Sequence, residues 1–196
     1  MRTVNQTLPT SSMRTALVKR SGAVLLSAFC LVGMASCDNE DDEPIVDSVS
    51  EQDRNFAISS SQFINAQVSM GQLALANGED DSVMEYGTLL VNENTESQTE
   101  FNEIADSKDI EVSTDMSAEM QAKYDELAAL QGEDFDKAFI QFQLDALESS
   151  KSMFENQIDN GENFTVKGYA EKTLSMIKAH RTEATLVKTE IGLEDI

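Results

Sequence analysis

The chain contains 196 residues, of which 14 are Lys or Arg and 36 are Asp or Glu, so its formal net charge is −22 at pH 7. Such an excess of negative charge repels the phosphates of nucleic acids, and we therefore exclude DNA and RNA as partners.

The first 36 residues have the pattern of a secretory signal peptide. They contain no acidic residue, and their basic residues are Arg2, Arg14, Lys19 and Arg20. An uncharged segment, SGAVLLSAFCLVGMAS, follows at residues 21–36. A membrane-spanning helix needs about 20 apolar residues, whereas a basic start before a shorter apolar run is typical of a cleaved signal. Met13 begins a second Met-Arg-Thr and is an alternative start of the chain.

Cys37 follows this segment in the sequence Met34-Ala35-Ser36-Cys37, which resembles the lipobox of bacterial lipoproteins, with Met in place of the usual Leu. The resemblance implies that Cys37 is lipidated and becomes the mature N-terminus, so that its acyl chains bind the protein to a membrane. The alternative is an ordinary cleavage site with an incidental cysteine. We expect a cell-envelope protein, specifically an outer-membrane lipoprotein.

Residues 37–49 are predicted to be an acidic, flexible tether, because DNEDDEPIVDSV contains a proline and few residues that could enter a core. Acids directly after the cysteine resemble the export signal of surface lipoproteins in Bacteroidetes-type bacteria, and a solvated spacer is the alternative. Removal of the signal removes four basic residues and no acid. The mature chain then has 10 basic and 36 acidic residues, a net charge of −26.

Helical patterns fill residues 50–196. Ser50 and Asp53 form a capping-box-like start, and Phe56, Phe63 and Met70 follow at intervals of seven. Breaks at glycines and polar residues then divide the chain into predicted helices at about 50–77, 81–106, 117–130, 133–159 and 165–191. Four helices of about 25 residues predict an all-α fold, an up-down four-helix bundle with a short extra helix between the second and third long helices.

A di-iron site in such a bundle takes two Glu-x-x-His units, and this chain has one histidine, His180, with Ile177 three residues before it. Two such units cannot be built. We therefore expect no catalytic residues and no cofactor.

Several segments resemble a widespread bacterial family of predicted secreted, ferritin-like four-helix proteins of unknown function. They are Asp53-x-x-Phe56, Met70-Gly71-Gln72-Leu73-Ala74, Val83-x-x-Tyr86, Leu90-Val91-Asn92-Glu93-Asn94, Phe135-Asp-Lys-Ala-Phe139, Met153-Phe154-Glu155, and Thr173-Leu174 through Ala179-His180. The resemblance covers about residues 50–190. It implies a ferritin-like bundle and, at four positions, a Glu and three His that look like metal ligands. In this chain those positions hold Gln67, Asn94, Leu147 and His180, so the resemblance implies that most of the ligands are missing.

His180 leaves three alternatives open. It is a buried imidazole bonded to Asn94, Gln67 or a backbone carbonyl; or a residual ligand for iron or zinc together with Glu183; or an exposed side chain without a role. The sequence thus favours a lipid-anchored, non-catalytic interaction or structural module with an envelope protein as partner. The alternative function is a metal-binding ferritin-like protein.

Overall fold

Five α-helices account for the fold in the computed structural model, which describes residues 47–193. They are α1 (Glu51–Asn77), α2 (Asp81–Lys108), α3 (Ala118–Ala128), α4 (Gly132–Asn160) and α5 (Phe164–Glu190), and no strand occurs within the described range. The predicted all-α class is confirmed. Each helix begins and ends within three residues of its predicted position.

Local interactions fix where the helices begin. At α1, the Ser50 hydroxyl accepts a hydrogen bond from the Asp53 backbone N–H, and the Asp53 carboxylate accepts one from the Ser50 N–H, which completes the predicted capping box. The Asp80 side chain caps α2 by accepting a hydrogen bond from the Ser82 backbone N–H, and the Asn163 side chain caps α5 by accepting from the Thr165 and Val166 backbone N–H groups. These side chains satisfy amides that have no partner inside the helix.

The long helices pack as two antiparallel pairs, α1 with α2 and α4 with α5, and α1 also contacts α4 while α2 contacts α5. The Asp136 carboxylate accepts hydrogen bonds from the backbone N–H groups of Glu79 and Asp80, so α2 and α4 begin at the same end of the molecule. The two helices therefore run in the same direction. The up-down bundle predicted from the sequence has each helix antiparallel to the one before it. This holds for α1 with α2 and for α4 with α5, but α2 and α4, which the segment containing α3 connects, are parallel.

The interior consists of two apolar clusters. The first core cluster includes Phe56, Phe101, Leu147, Phe154 and Ile177. The second core cluster includes Met70, Tyr86, Leu90, Phe139 and Ala184. Both clusters lie in one compact unit, to which the described residues 47–193 belong.

The last residues of the expected tether are held against this unit. Asp47 forms an ion pair with Lys108 at 2.7 Å and accepts a hydrogen bond from the Phe164 N–H, while Val49 packs on the first core cluster. Residues 37–46, the remainder of the expected tether, lie outside the described residues. Among helices α1 to α5, none combines the length and the apolar character needed to cross a membrane.

A candidate functional site in the buried polar layer

Each long helix places one polar side chain between the two core clusters. These four side chains, which we call the polar layer, are 0–1% exposed: Gln67, Asn94, Gln143 and His180. Along each of the four long helices, the core residues that precede the polar side chain belong to one cluster and those that follow it belong to the other. The polar layer therefore separates the two core clusters along the helices.

Contacts between the helices place the polar layer at one level. α1 and α2 are in close contact at Gly71 and Gly87, and Gln67 lies one turn before Gly71. Because the two helices are antiparallel, Gln67 lies level with the turn of α2 that contains Asn94. His180 of α5 bonds to Glu93 of that same turn. On α4, the pairing of Gln52 with Gln157 at the helix ends sets a register that brings Gln143 level with Gln67.

The amides of the polar layer are largely without partners among the described residues. Asn94 donates one hydrogen bond through Nδ2 to the Leu90 carbonyl oxygen, at 2.8 Å, and its Oδ1 has no partner. Both the Oε1 and the Nε2 atoms of Gln67 and of Gln143 also lack partners. A buried polar atom without a hydrogen bond costs about 1–3 kcal/mol, so this layer is an expensive feature for a core to contain.

The imidazole of His180 forms a hydrogen bond with a side chain at the protein surface. Its Nε2 lies 2.8 Å from Oε2 of Glu93, whose side chain is 45% exposed and lines a surface cleft between α2 and α5. Burial lowers the pKa of His180 below its ordinary value, and the Glu93 carboxylate opposes that effect without cancelling it. The imidazole is therefore neutral at pH 7, donating its Nε2 proton to Glu93.

The Tyr86 hydroxyl is another buried polar group without a partner among the described residues. Burial raises the pKa of Tyr86 well above its ordinary value, and the negative charge of Glu183 adds to the shift. The phenol is therefore protonated at pH 7.

The residues of the polar layer do not fit a transition-metal centre. Iron and zinc are held by imidazole, carboxylate or thiolate groups, and neutral amides are poor ligands for them. Within residues 47–193, no three His, Cys, Asp or Glu side chains converge in a way that could hold a metal ion. His180 and Glu93 supply two donor groups at most, and Glu183 is exposed on the next turn of α5.

The candidate site residues predicted from the sequence do not all lie together in the structure. Gln67, Asn94 and His180 share the polar layer, whereas Leu147 is a buried member of the first core cluster, one turn beyond the layer. His180 pairs with Glu93 and not with Glu183, Asn94, Gln67 or a backbone carbonyl. Cys37 lies outside the described residues.

Two members of this site, Gln143 and Glu93, were not predicted. Gln143 follows Phe139 by four residues and precedes Leu147 by four, so it occupies a position of the apolar stripe of α4 and could have been recognised as a polar residue in a core position. Glu93 carries no such signal, because nothing in its own helix indicates that it faces a histidine 87 residues away.

The chain matches the model of a known protein family. A family model described as a domain of unknown function, DUF4142, matches residues 41–187, which include all of α1 to α4 and most of α5. Neither the curated proteins nor the solved structures include a significant match to this chain.

Proposed function

This chain belongs to the DUF4142 family of domains of unknown function. We propose that it is a lipid-anchored module of the bacterial cell envelope with an interaction or structural role and no catalysis. The observation that carries the non-catalytic part is the composition of the polar layer. Three of its four side chains are neutral amides, which neither transfer protons readily at pH 7 nor attack a substrate. The fourth, His180, is buried and bonded to Glu93.

The fold that best accommodates these observations is a ferritin-like four-helix bundle. Ferritin-like bundles have one long crossover connection between their two helix pairs. The α3 segment supports this topology, because it carries the chain from the end of α2 back to the opposite end, where α4 starts beside α2. The Asn77 side chain, at that opposite end, bonds to the backbone of the segment that follows α3.

The anchoring part rests on Cys37 and the residues before it. A lipidated Cys37 would lie ten residues before Asp47, which is bound to the helical unit. An extended chain spans at most about 3.6 Å per residue, so Asp47, where the chain joins the helical unit, would lie within roughly 36 Å of the lipid surface. We place the protein in the outer membrane, exposed to the cell surface, with another envelope protein as its partner.

Cys37→Ser tests the anchor, and Cys30→Ser is a matched control because Cys30 is the only other cysteine of the chain. Cells expressing each variant would be labelled with an alkyne fatty acid and fractionated. We expect label and membrane association in the wild type and in Cys30→Ser, and loss of the label in Cys37→Ser. A Cys37→Ser protein that keeps the label would refute lipidation at this residue, whatever fraction contains it.

The alternative function is metal binding, and the favouring observation is the imidazole and carboxylate pair of His180 and Glu93, 2.8 Å apart. The mature-length protein, without a histidine tag, would be loaded with iron or zinc, desalted and analysed by elemental mass spectrometry. Our proposal predicts a substoichiometric content, equal in wild type and His180→Ala. One metal ion per chain that is lost in His180→Ala would replace our proposal with the metal-binding function.

A further inference from the structure

The polar layer contains five amide atoms that need hydrogen-bond partners, on three different helices: Oε1 and Nε2 of Gln67, Oδ1 of Asn94, and Oε1 and Nε2 of Gln143. All three side chains are at most 1% exposed, so bulk water does not reach them. At about 1–3 kcal/mol for each unsatisfied atom, the total would rival the whole stability of a typical domain. An occupant that bonds to these atoms would therefore stabilise the core.

The chemistry of the five atoms identifies the occupant. Gln67 and Gln143 each present a donor and an acceptor, so the occupant must both accept and donate hydrogen bonds. A metal cation would satisfy the oxygens only and would be repelled by the two Nε2 groups. An anion would satisfy only the nitrogens, in a protein whose net charge is −22. Water is the smallest molecule that does both.

We propose that the polar layer is a binding site for internal water, in which bridging molecules join the side-chain amides of Gln67, Asn94 and Gln143. A buried water makes about three hydrogen bonds, so about two molecules satisfy the five atoms. The bridges link α1, α2 and α4 at one level. They hold these helices in a fixed axial register, because a shift by one turn would place the amides against the apolar clusters.

Water-selective NOE and ROE spectra of the isotope-labelled mature-length protein with Cys37→Ser test the site directly. We expect cross-peaks between long-lived water and the side-chain amide protons of Gln67 and Gln143. The exposed Gln72 serves as the internal control, with signals of rapidly exchanging solvent only. Absence of long-lived water at both buried amides, with hydrogen bonds formed directly between them, would refute the proposal.

A second measurement counts the waters. Oxygen-17 relaxation dispersion detects water molecules that remain bound for longer than nanoseconds, and the count should fall by at least one in Gln67→Leu/Gln143→Leu but not in Gln72→Leu. An unchanged count in the double variant would contradict the assignment. Amide signals of the wild type that move on addition of sodium, potassium or calcium chloride would assign the layer to a cation instead. The wild-type measurements remain decisive if the double variant does not fold.

Discussion

His180 shows how the interior sets the charge of a single residue. Its ring is 1% exposed, and burial lowers its pKa although Glu93 lies within hydrogen-bond distance. The unfolded chain exposes the same imidazole to water, where its pKa is about 6.5. Below that pH the unfolded state binds a proton that the folded state does not, so acidification favours unfolding.

We therefore predict that stability is fully retained above about pH 6.5 and decreases as the pH falls toward the lowered pKa of His180, by at most about 1.4 kcal/mol per pH unit for one proton. Urea denaturation of wild type and His180→Gln at pH 7.5 and pH 5.5 measures the effect. The variant should lose less stability between the two pH values. Since His180 is the only histidine, an equal loss in both proteins would show that its protonation is not coupled to folding.

Asp53 is a second residue whose role extends beyond its own helix. Besides closing the capping box of α1, its carboxylate accepts hydrogen bonds from the Gln157 side chain and the Asn163 backbone N–H. Burial alone would raise the pKa of Asp53, but the bonds from Ser50, Gln157 and Asn163 outweigh burial and hold it below its usual range. One ionised side chain thus joins the start of α1 to the turn between α4 and α5.

At the scale of the helices, glycine determines how closely α1 and α2 pack. A Cβ atom added to Gly71 would lie 2.7 Å from the Gly87 carbonyl oxygen and 2.9 Å from the Val91 side chain. A Cβ atom added to Gly87 would lie 2.8 Å from Cβ of Ala74. Both glycines are needed because the backbones of α1 and α2 lie too close together for a larger side chain. Gly71 lies one turn from the polar layer on α1, and Gly87 lies two turns from it on α2.

We predict that Gly71→Ala destabilises the protein by about 1–3 kcal/mol, because relief of the clash requires α1 and α2 to separate. Gly168→Ala is the matched control, since nothing lies within 4 Å of a Cβ atom at that exposed position of α5. There the change should stabilise by about 0.4–1 kcal/mol, through the reduced entropy of the unfolded chain. Chemical denaturation of both variants gives the comparison. Similar effects at the two sites would disprove the close packing of α1 against α2.

At the scale of the whole molecule, charge opposes compaction. The chain carries 36 acidic and 14 basic residues, and several of the basic ones are already engaged in ion pairs, as Lys108 is with Asp47 and Lys172 with Glu100. Unfolding moves the remaining negative charges apart. Their mutual repulsion therefore destabilises the folded state when salt is low.

We predict that the free energy of unfolding increases between 0.1 M and 1 M NaCl, because the screening length falls from about 10 Å to about 3 Å. Thermal and urea denaturation at the two concentrations measure the change. KCl should have the same effect as NaCl, since screening depends on ionic strength. A decrease in stability would mean that the ion pairs contribute more than the repulsion. An increase confined to one cation would indicate specific binding.

The sequence by itself determined the class of the fold and the extent of each helix. Ser50 with Asp53, Asn77 with Gly78, and Asn160 with Gly161 mark helix ends through interactions among neighbouring residues. The apolar stripes between them identify the buried faces. Such signals are local, because a cap or a helical face depends on residues three or four positions apart.

Only the tertiary structure decided how the faces meet. The parallel course of α2 and α4, the close approach at Gly71 and Gly87, and the pairing of Glu93 with His180 each join residues from separate parts of the chain. The same is true of the polar layer, in which Gln143 takes the place on α4 that the family resemblance assigned to Leu147, one turn away. The apolar stripes and the capping residues of a sequence do not determine which helices are neighbours, in which direction they run or how they are aligned along their axes. Those are set by packing between distant segments, where one turn of displacement exchanges an amide for an apolar side chain.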